Sequence, residues 1–165
     1  TVTVSSAGKS FSLTGWKVGW IVAAPALRTA VQNAHQFVTF SSSPALQSAF
    51  ASALRLPDGY FQQLAVDYER RRDLLAAQLQ SAGFRPLPTE GSYFTLVELA
   101  GLPFADDFAF CRHLTAEVGV AAIPPSAFYS AGHREQGARF ARFAFCKTEE
   151  TLKEAGRRLR ARFLK

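Results

Sequence analysis

The stretch that decides the fold and chemistry of this chain is residues 6–20, which read SAGKSFSLTGWKVGW. Lys9 lies in a turn of small residues, with the hydroxyl of Ser6 three positions before it and a second cation, Lys17, eight positions after it. A lysine in such a setting can bind phosphate, assist a nucleophile or react with an aldehyde. The neighbouring residues separate these three possibilities.

A phosphate-binding P-loop is the first possibility, because Gly8-Lys9-Ser10 matches the end of the G-x-x-x-x-G-K-[ST] pattern. That loop also needs a glycine five positions before Gly8. The chain has Thr3 there, inside an alternating Thr-Val run that predicts a strand. A hydrolase of the Ser-x-x-Lys type, with Ser6 as nucleophile, is the second possibility, but its companion S-D-N and K-T-G segments are absent from the sequence. Both interpretations are therefore disfavoured.

The third possibility is a lysine that forms a Schiff base. An amine condenses with an aldehyde only when it is unprotonated, so such sites are desolvated or carry other positive charges nearby. The small residues at positions 7 and 8 leave room for a flat ring close to the backbone. The hydroxyl of Ser6 and the ammonium of Lys17 are suited to bind a phosphate group on that ring.

Residues 6–12 (SAGKSFS), followed by residues 14–20 (TGWKVGW), resemble the cofactor-lysine segment of fold-type I pyridoxal-phosphate aminotransferases. The similarity is greatest to the group that includes kynurenine, glutamine–phenylpyruvate and methionine aminotransferases. The resemblance implies pyridoxal 5'-phosphate as cofactor, Lys9 as the catalytic Schiff-base lysine, and Ser6 and Lys17 as ligands of the cofactor phosphate. Some relatives have arginine at the position of Lys17, so the charge is kept here but the planar fork of donors is lost.

A second segment, residues 142–147 (RFAFCK), places Arg142 on a predicted strand between aromatic neighbours. The guanidinium of arginine can bind a carboxylate through two parallel hydrogen bonds, which lysine cannot do. In the resembled family an R-F-x-F-x-K strand carries the arginine that binds the α-carboxylate of the substrate, so the resemblance implies this role for Arg142. Arg139 is expected on the opposite face of the strand. For a lone strand arginine, a surface charge or a structural ion pair is the alternative.

A third segment, residues 35–44 (HQFVTFSSSP), is similar to the family stretch before a helix that reaches the active site of the partner subunit. The resemblance implies a homodimer whose active site is shared between subunits. Phe40 would then line the pocket for the substrate side chain across the interface, where an aromatic ring suits a large apolar amino acid. A position in the core is the alternative for Phe40.

The composition is that of a globular protein. The chain has 165 residues, of which 48% are apolar and 15 are Phe, and no apolar run approaches the length of a membrane span. The net charge of +6 includes Arg70-Arg71-Arg72, but three consecutive residues on a helix point in three directions, and no nucleic-acid motif accompanies them. We therefore expect neither a nucleic-acid nor a membrane partner.

Cys111 and Cys146 lack metal-ligand spacing, which predicts reduced thiols in a cytoplasmic protein.

The order of predicted elements divides the chain at residues 56–57. The apolar run at residues 18–23 predicts a strand buried on both faces. Pro25 and Ser43-Pro44 each predict the start of a helix, with Ser43 as the N-cap of the second one. An apolar stripe at helical spacing follows the break at residues 56–59, and Gly83 closes it. From about residue 58 onward the chain reads helix-strand-helix-strand-strand-helix. Alternation predicts the strands at residues 91–99 and 139–146, and a short apolar run predicts the one at residues 120–123.

The predicted fold class is mixed α/β and α+β. Under the resemblance, residues 1–56 end the large cofactor-binding domain, with its parallel-rich sheet and helices, and residues 57–165 form the small C-terminal α+β domain. The family lysine lies past the middle of a much longer chain, so we expect a large preceding portion with the groups that contact the cofactor ring. The function implied is transamination of an aromatic, methionine-like or kynurenine-type amino acid with a 2-oxo acid, by an enzyme of which this chain is an incomplete part, inactive alone. The alternatives are a β-lyase that uses the same cofactor, and a non-catalytic regulatory module with the same fold.

Overall fold

The computed structural model describes residues 1–164. Residue contacts divide the chain into two compact units, one ending at Leu64 and the other beginning at Ala65. The predicted domain boundary at residues 56–57 stays a prediction. A division of this chain by its internal contacts does not show which residues belong to the large or the small domain of the complete protein. Each unit mixes helices with antiparallel strands, which confirms the predicted mixed α/β class.

The first unit is built around a two-stranded hairpin whose connection carries Lys9. Its strands pair antiparallel, with Val2 opposite Ala23 and Ser6 opposite Gly19. Two helices follow, each with proline in its first turn, where the missing N–H is tolerated. The elements are, in chain order, β1 (Val2–Ser6), α1 (Ala7–Ser10), a 3-10 turn (Thr14–Trp16), β2 (Gly19–Ala23), α2 (Pro25–Val38) and α3 (Pro44–Ala53).

Two local predictions for this unit are wrong. The strand β2 is not buried on both faces, since Ile21 is 46% exposed and Val22 is 60% exposed. The reason is that, within residues 1–164, β2 pairs only with β1 in a two-stranded sheet. Ser43 precedes α3 as predicted, but its side chain makes no capping hydrogen bond, and the proline alone marks the helix start.

The second unit is a three-stranded antiparallel sheet covered by helices. The strand order is β3-β4-β5, with Leu96 opposite Arg142 in the β4–β5 pair. The helix α4 begins before the division between the units. The elements are, in chain order, α4 (Asp58–Ser81), β3 (Arg85–Pro86), β4 (Phe94–Glu98), α5 (Asp107–His113) continued by a π-helical turn (Leu114–Val118), 3-10 turns (Pro125–Phe128 and Ala131–His133), α6 (Glu135–Ala138), β5 (Phe140–Ala144) and α7 (Glu149–Phe163).

The core of the second unit lies where the helices pack on the sheet. Each long helix contributes leucines that are almost fully buried, and the strands contribute small or aromatic residues from alternate positions. The helix that the apolar stripe predicted after residue 60 is confirmed as α4, and Gly83 follows it with a φ of 86°. The central buried residues are Leu75, Leu79, Val97, Phe110, Leu114, Ala141, Phe143, Leu152 and Leu159.

The predicted strand at residues 120–123 is wrong. This segment forms only an isolated bridge, in which Ile123 exchanges backbone hydrogen bonds with Arg142. Pro124 and Pro125 follow at once, and proline has no N–H with which to extend a strand ladder. Among residues 1–164, none of the helices combines the length and hydropathy needed to cross a bilayer.

Candidate functional site

Lys9 lies on α1, the four-residue helix that follows β1 directly. The hairpin register brings the two ends of its connection together, because Ser6 pairs with Gly19 and the N–H of Ala7 donates to the carbonyl of Val18 at 3.0 Å. Ala7 and Val18 are buried and fix this end of the hairpin in the core of the first unit. Lys9 is half-buried, while Ser6 and Lys17 are exposed.

Hydrogen bonds within the connection hold the backbone on both sides of Lys9. The Oγ of Ser6 accepts a hydrogen bond from the N–H of Gly8 at 3.4 Å and thereby caps α1. The hydroxyl of Thr14 donates to the carbonyl of Gly8 at 2.9 Å. After Lys9, the hydroxyl of Tyr60 donates to the carbonyl of Ser10 at 2.6 Å. The position of Lys9 is therefore fixed in part by a residue that is distant in the sequence.

An aromatic cluster supports the lysine turn. The ring of Phe11 lies edge-on to Phe50, with centroids 5.6 Å apart, and stacks on Tyr60 at 5.7 Å. Trp20 contacts Phe50 from β2, with a centroid distance of 5.3 Å. Such contacts add stabilisation beyond the burial of area alone. They tie the end of the turn to α3 and to the beginning of α4.

Two of the residues predicted for the site have a left-handed backbone, Lys17 with φ 54° and Phe40 with φ 66°. Residues other than glycine adopt this region at a cost, and those that do so are concentrated at functional sites. Among residues 1–164, only Ser12 and Ser92 share this property with them outside glycine. The backbone at Lys17 and Phe40 is thus held by its surroundings, and not by intrinsic preference.

Phe40 lies just after α2, where its N–H donates to the carbonyl of His35 at 2.9 Å. Its side chain is 76% exposed, so it does not belong to the core of the first unit. Phe40 also lines a cavity of about 730 Å³ within that unit, together with residues of β2, α2 and α3. Val18, Trp20, His35 and Gln47 are among the other residues of its lining.

Arg142 lies in the second unit, at the middle of β5. Its guanidinium carbon is 4.7 Å from the ring centroid of Phe94 and 4.9 Å from that of Phe128. Within residues 1–164, no carboxylate forms an ion pair with Arg142, so a structural ion pair does not explain it there. Arg139 lies just before β5 and contacts the ring of Phe140 at 5.2 Å.

The structure therefore places Lys9 and Lys17 in the connection of one hairpin and Ser6 at the end of β1 that leads into it, with Phe40 in the same unit. Several residues that position this connection were not predicted from the sequence, namely Thr14, Gly19, Phe50 and Tyr60. Only Thr14 and Gly19 could have been suspected from the sequence, because both lie within residues 6–20. Thr14 has a hydroxyl there and Gly19 has no side chain. Phe50 and Tyr60 act through tertiary contacts that spacing does not reveal. Phe128 was missed for the same reason.

The other predicted features are peripheral. Cys111 is buried, which raises the pKa of its thiol to about 12, with the nearby carboxylate of Asp107 contributing. Neither it nor Cys146 forms a disulfide. In the part of the chain that the structure describes, no cluster of three or more His, Cys, Asp or Glu residues could hold a metal ion. Arg70 and Arg72, from the run of three arginines, form ion pairs with carboxylates of α4 and α7.

Comparison with known proteins agrees with this geometry. The profile of the family described as aminotransferase class I and II matches residues 1–159. A kynurenine–oxoglutarate transaminase of Dictyostelium discoideum is 40% identical over 173 residues, covering 94% of this chain and 40% of that protein. A methionine aminotransferase of Escherichia coli is 40% identical over 159 residues, covering 96% of this chain and 40% of its own length.

Solved structures show the same similarity in three dimensions. The N-succinyldiaminopimelate aminotransferase of Mycobacterium tuberculosis superposes with a TM-score of 0.87 at 40% identity, covering 98% of this chain and 41% of that one. This chain therefore spans about 40% of the length of the relatives it matches. The family consists of pyridoxal-phosphate-dependent enzymes. The match over nearly all of the chain, in sequence and in fold, shows that it belongs to the aminotransferase class I and II family.

Proposed function

We propose that the complete protein containing this chain is a pyridoxal-phosphate-dependent aminotransferase that exchanges an amino group between an amino acid and a 2-oxo acid. The observation that carries the proposal is the single hairpin connection that holds Lys9, Ser6 and Lys17 within the family match. The amino donor is proposed to have a large apolar side chain of the aromatic, methionine-like or kynurenine type. This choice rests on exposed Phe40 and on the names of the similar kynurenine and methionine aminotransferases.

The residues of the lysine turn fit this cofactor in their chemistry. An amine, a hydroxyl and an ammonium group occur in one connection whose ends are joined by β pairing. The residues next to Lys9 are small, and the buried Ala7 and the capped Gly8 present no bulky side chain toward an approaching ring. When bound, pyridoxal phosphate supplies an aldehyde that reacts with amines and a ring system that accepts electrons from the substrate carbon.

Lys9 has two tasks in the proposed reaction. Its amine would hold the cofactor covalently and would be released when the substrate amine takes its place. The freed Nζ would then take a proton from the substrate Cα as general base and return a proton to the cofactor carbon as general acid. Both tasks require a fixed backbone, which the bonds from Thr14 to Gly8 and from Tyr60 to Ser10 supply.

Ser6 and Lys17 are proposed to bind the phosphate of the cofactor. The hydroxyl of Ser6 can donate to a phosphate oxygen while its lone pair caps α1, and Lys17 contributes a positive charge. Arg142 is proposed to bind the substrate carboxylate through the edge of its guanidinium, which would fix the direction of the bond from Cα to hydrogen.

We propose a cytoplasmic homodimer in which Phe40 lines the side-chain pocket of the partner subunit's active site. Its exposure and its left-handed backbone at the end of α2 support this placement. We also propose that residues 1–56 complete the large domain and that residues 57–165 form the small one.

The experiment is reductive labelling of the complete protein. We expect the purified protein to be yellow, and borohydride followed by peptide mapping to place the pyridoxyl group on Lys9. The variant Lys9→Ala should take up no reducible label, because no amine remains at that position, whereas Lys153→Ala on the exposed face of α7 should label like the wild type.

Three results would contradict parts of this assignment. A label on another lysine would remove Lys9 from its role. A colourless protein that takes up no cofactor would exclude the enzyme and favour the regulatory module. Release of ammonia with no amino transfer to a 2-oxo acid would indicate the β-lyase.

A further inference from the structure

Arg142 is in contact with two aromatic side chains. Its guanidinium lies over two aromatic rings of the second unit, with centroid distances of 4.7 Å to Phe94 and 4.9 Å to Phe128. Both distances are within the range in which a guanidinium is attracted to the face of a ring. Phe94 lies on the adjacent strand β4, at the position diagonal to Arg142 in the β4–β5 pair. Phe128 comes from the 3-10 turn at residues 125–128 and not from the sheet.

The two contacts place the guanidinium over the rings of Phe94 and Phe128, and neither ring offers a conventional hydrogen-bond acceptor to its N–H donors. The N–H donors of arginine all lie in the plane of the group, where they can bind both oxygens of a carboxylate. No carboxylate among residues 1–164 forms an ion pair with Arg142. The rings therefore restrict its orientation without consuming the donors that a ligand carboxylate needs.

Phe128 is exposed in this structure, although it is apolar. Its side chain is 67% exposed, so burial in a core does not explain its position. Its ring instead lies against the guanidinium of Arg142. Truncation of Phe128 should for this reason leave the folding of the second unit intact.

The turn that carries Phe128 is anchored by hydrogen bonds to a buried carboxylate. Asp107 is fully buried and accepts a hydrogen bond from the N–H of Ser126 at 2.8 Å and another from its hydroxyl at 2.8 Å. Gly137 packs against the same turn so closely that a Cβ there would lie 2.6 Å from the nitrogen of Ser126. A buried charged acceptor and a close backbone approach leave the turn little freedom.

We propose that Phe128 is a positioning residue for Arg142, held by the Asp107–Ser126 anchor so that the guanidinium presents its edge to a ligand carboxylate. This inference rests on the proposed function, in which Arg142 binds the carboxylate of the amino acid. Phe128 does not touch the reacting atoms; it sets the orientation of the group that does. The contribution is preorganisation, because the arginine loses less entropy on binding.

The test uses the complete protein with two readouts. One is the steady-state kinetics of an aromatic amino acid, and the other is the calorimetric Kd of 3-phenylpropionate, a carboxylate that has no amine. Phe128→Leu should raise both KM and Kd about tenfold, which matches a lost stacking interaction, and leave kcat nearly unchanged. Phe128→Tyr should restore both values, because the stacking ring is retained.

Two further variants separate positioning from a general structural effect. Phe108→Leu makes the same chemical change at an exposed ring of α5 that is not one of the rings in contact with the Arg142 guanidinium within residues 1–164, and it should alter neither constant. In the Arg142→Lys background, Phe128→Leu should add little, because the residue through which it acts has been replaced. A full additional effect in that background would overturn the proposal.

The outcomes also distinguish this inference from the proposed function. A wild type that binds 3-phenylpropionate but transfers no amino group would overturn the proposed function alone. A Phe128→Leu variant with wild-type KM and Kd would overturn the positioning role alone. A wild type that does not bind the carboxylate, or a Phe128→Tyr variant that behaves like Phe128→Leu, would also overturn the positioning role.

Discussion

At the scale of single residues, the chemistry of this chain depends on the type of cation at each position. Lys9 is proposed to react as an amine, and among the side chains only lysine offers a primary amine. Arg142 is proposed to bind a planar carboxylate, for which the guanidinium is the better match. Lys17 is proposed to neutralise phosphate, and there lysine acts as a point charge without a fork of donors.

Replacement of Arg142 by lysine tests this distinction. We expect Arg142→Lys in the complete protein to raise KM for amino acids by roughly two orders of magnitude, because one arm of a charged bidentate pair is lost at about 1.5–3 kcal/mol. Steady-state kinetics with varied amino acid would measure the change. Arg139→Lys is the matched control, since Arg139 lies outside β5 and should give wild-type values. If both variants behave alike, Arg142 has only a structural role.

At the scale of elements, the β1–β2 hairpin fixes the two ends of the segment that contains Lys9. Gly19 allows the strands to approach, because a Cβ at this position would collide with the carbonyl oxygen of Ser5. That oxygen belongs to the backbone and cannot rotate away. The hairpin that joins Ser6 to the segment after Lys17 therefore depends on one residue without a side chain.

Substitution of Gly19 should consequently damage both folding and cofactor binding. We expect Gly19→Ala to lower the free energy of unfolding of the complete protein by about 1–3 kcal/mol, as for other overpacked positions. Urea unfolding would measure this, and borohydride labelling would show reduced occupancy of Lys9. Gly15→Ala is the control in the same connection, because a Cβ there meets no atom within 4 Å. Equal stability of the two variants would contradict the role of Gly19.

The helix α7 offers a test of pH dependence. Glu154 accepts hydrogen bonds from Arg157 and Arg158, and these lower its pKa from 4.5 to about 2. Because the folded pKa is below the unfolded one, the stabilisation is complete above pH 4.5 and is lost as the pH falls toward 2. The side chain of Glu154 is 41% exposed, so the effect is small and screened by salt.

The matching experiment is unfolding of Glu154→Gln across this pH range. We expect the variant to be less stable than the wild type above pH 4.5, and the difference to vanish near pH 2 and to shrink in roughly 1 M salt. Glu117→Gln is the control, since Glu117 is exposed and forms no ion pair within residues 1–164. A difference between Glu154→Gln and the wild type that persists at pH 2 would point to packing and not to charge.

At the scale of the whole molecule, the chain has the fold of its relatives over nearly all of its length but covers only about 40% of theirs. The aminotransferase reaction, as proposed, also needs groups that contact the cofactor ring. The lysine, the phosphate ligands and the carboxylate ligand are proposed to lie within these residues, whereas the groups that contact the ring are expected in the rest of the complete protein. Activity is therefore proposed for the complete protein and not for the 165 residues alone.

Expression of the 165-residue chain by itself tests that view. We expect it to show no measurable transamination of phenylalanine, methionine or kynurenine with 2-oxoglutarate, under conditions in which the complete protein is active. Product formation followed by chromatography would decide the matter, with Lys9→Ala of the complete protein as the blank. Turnover by the isolated chain that disappears in its own Lys9→Ala variant would show that residues 1–165 suffice for catalysis.

The sequence alone predicted those features whose residues all lie within one short segment of the chain. The stretch at residues 6–20 predicted the family, which the profile and the structural comparison confirm, because the residues that carry the resemblance are contiguous in the sequence. The stripe of α4 predicted its helix, because leucines at helical spacing need only one apolar partner surface. Alternation predicted β4 and β5 for a similar reason.

Only the tertiary structure decided features that depend on distant partners. An apolar run does not say how many neighbours a strand has, and β2 has β1 alone within the described residues. The segment at residues 120–123 looked like a strand, but the prolines after it limit it to one bridge with Arg142. The hydrogen bond from Tyr60 to Ser10, and the stack of Phe128 on Arg142, join residues whose spacing carries no signal. Sequence by itself determined the kinds of chemical groups present, and folding determined which of them are held in place.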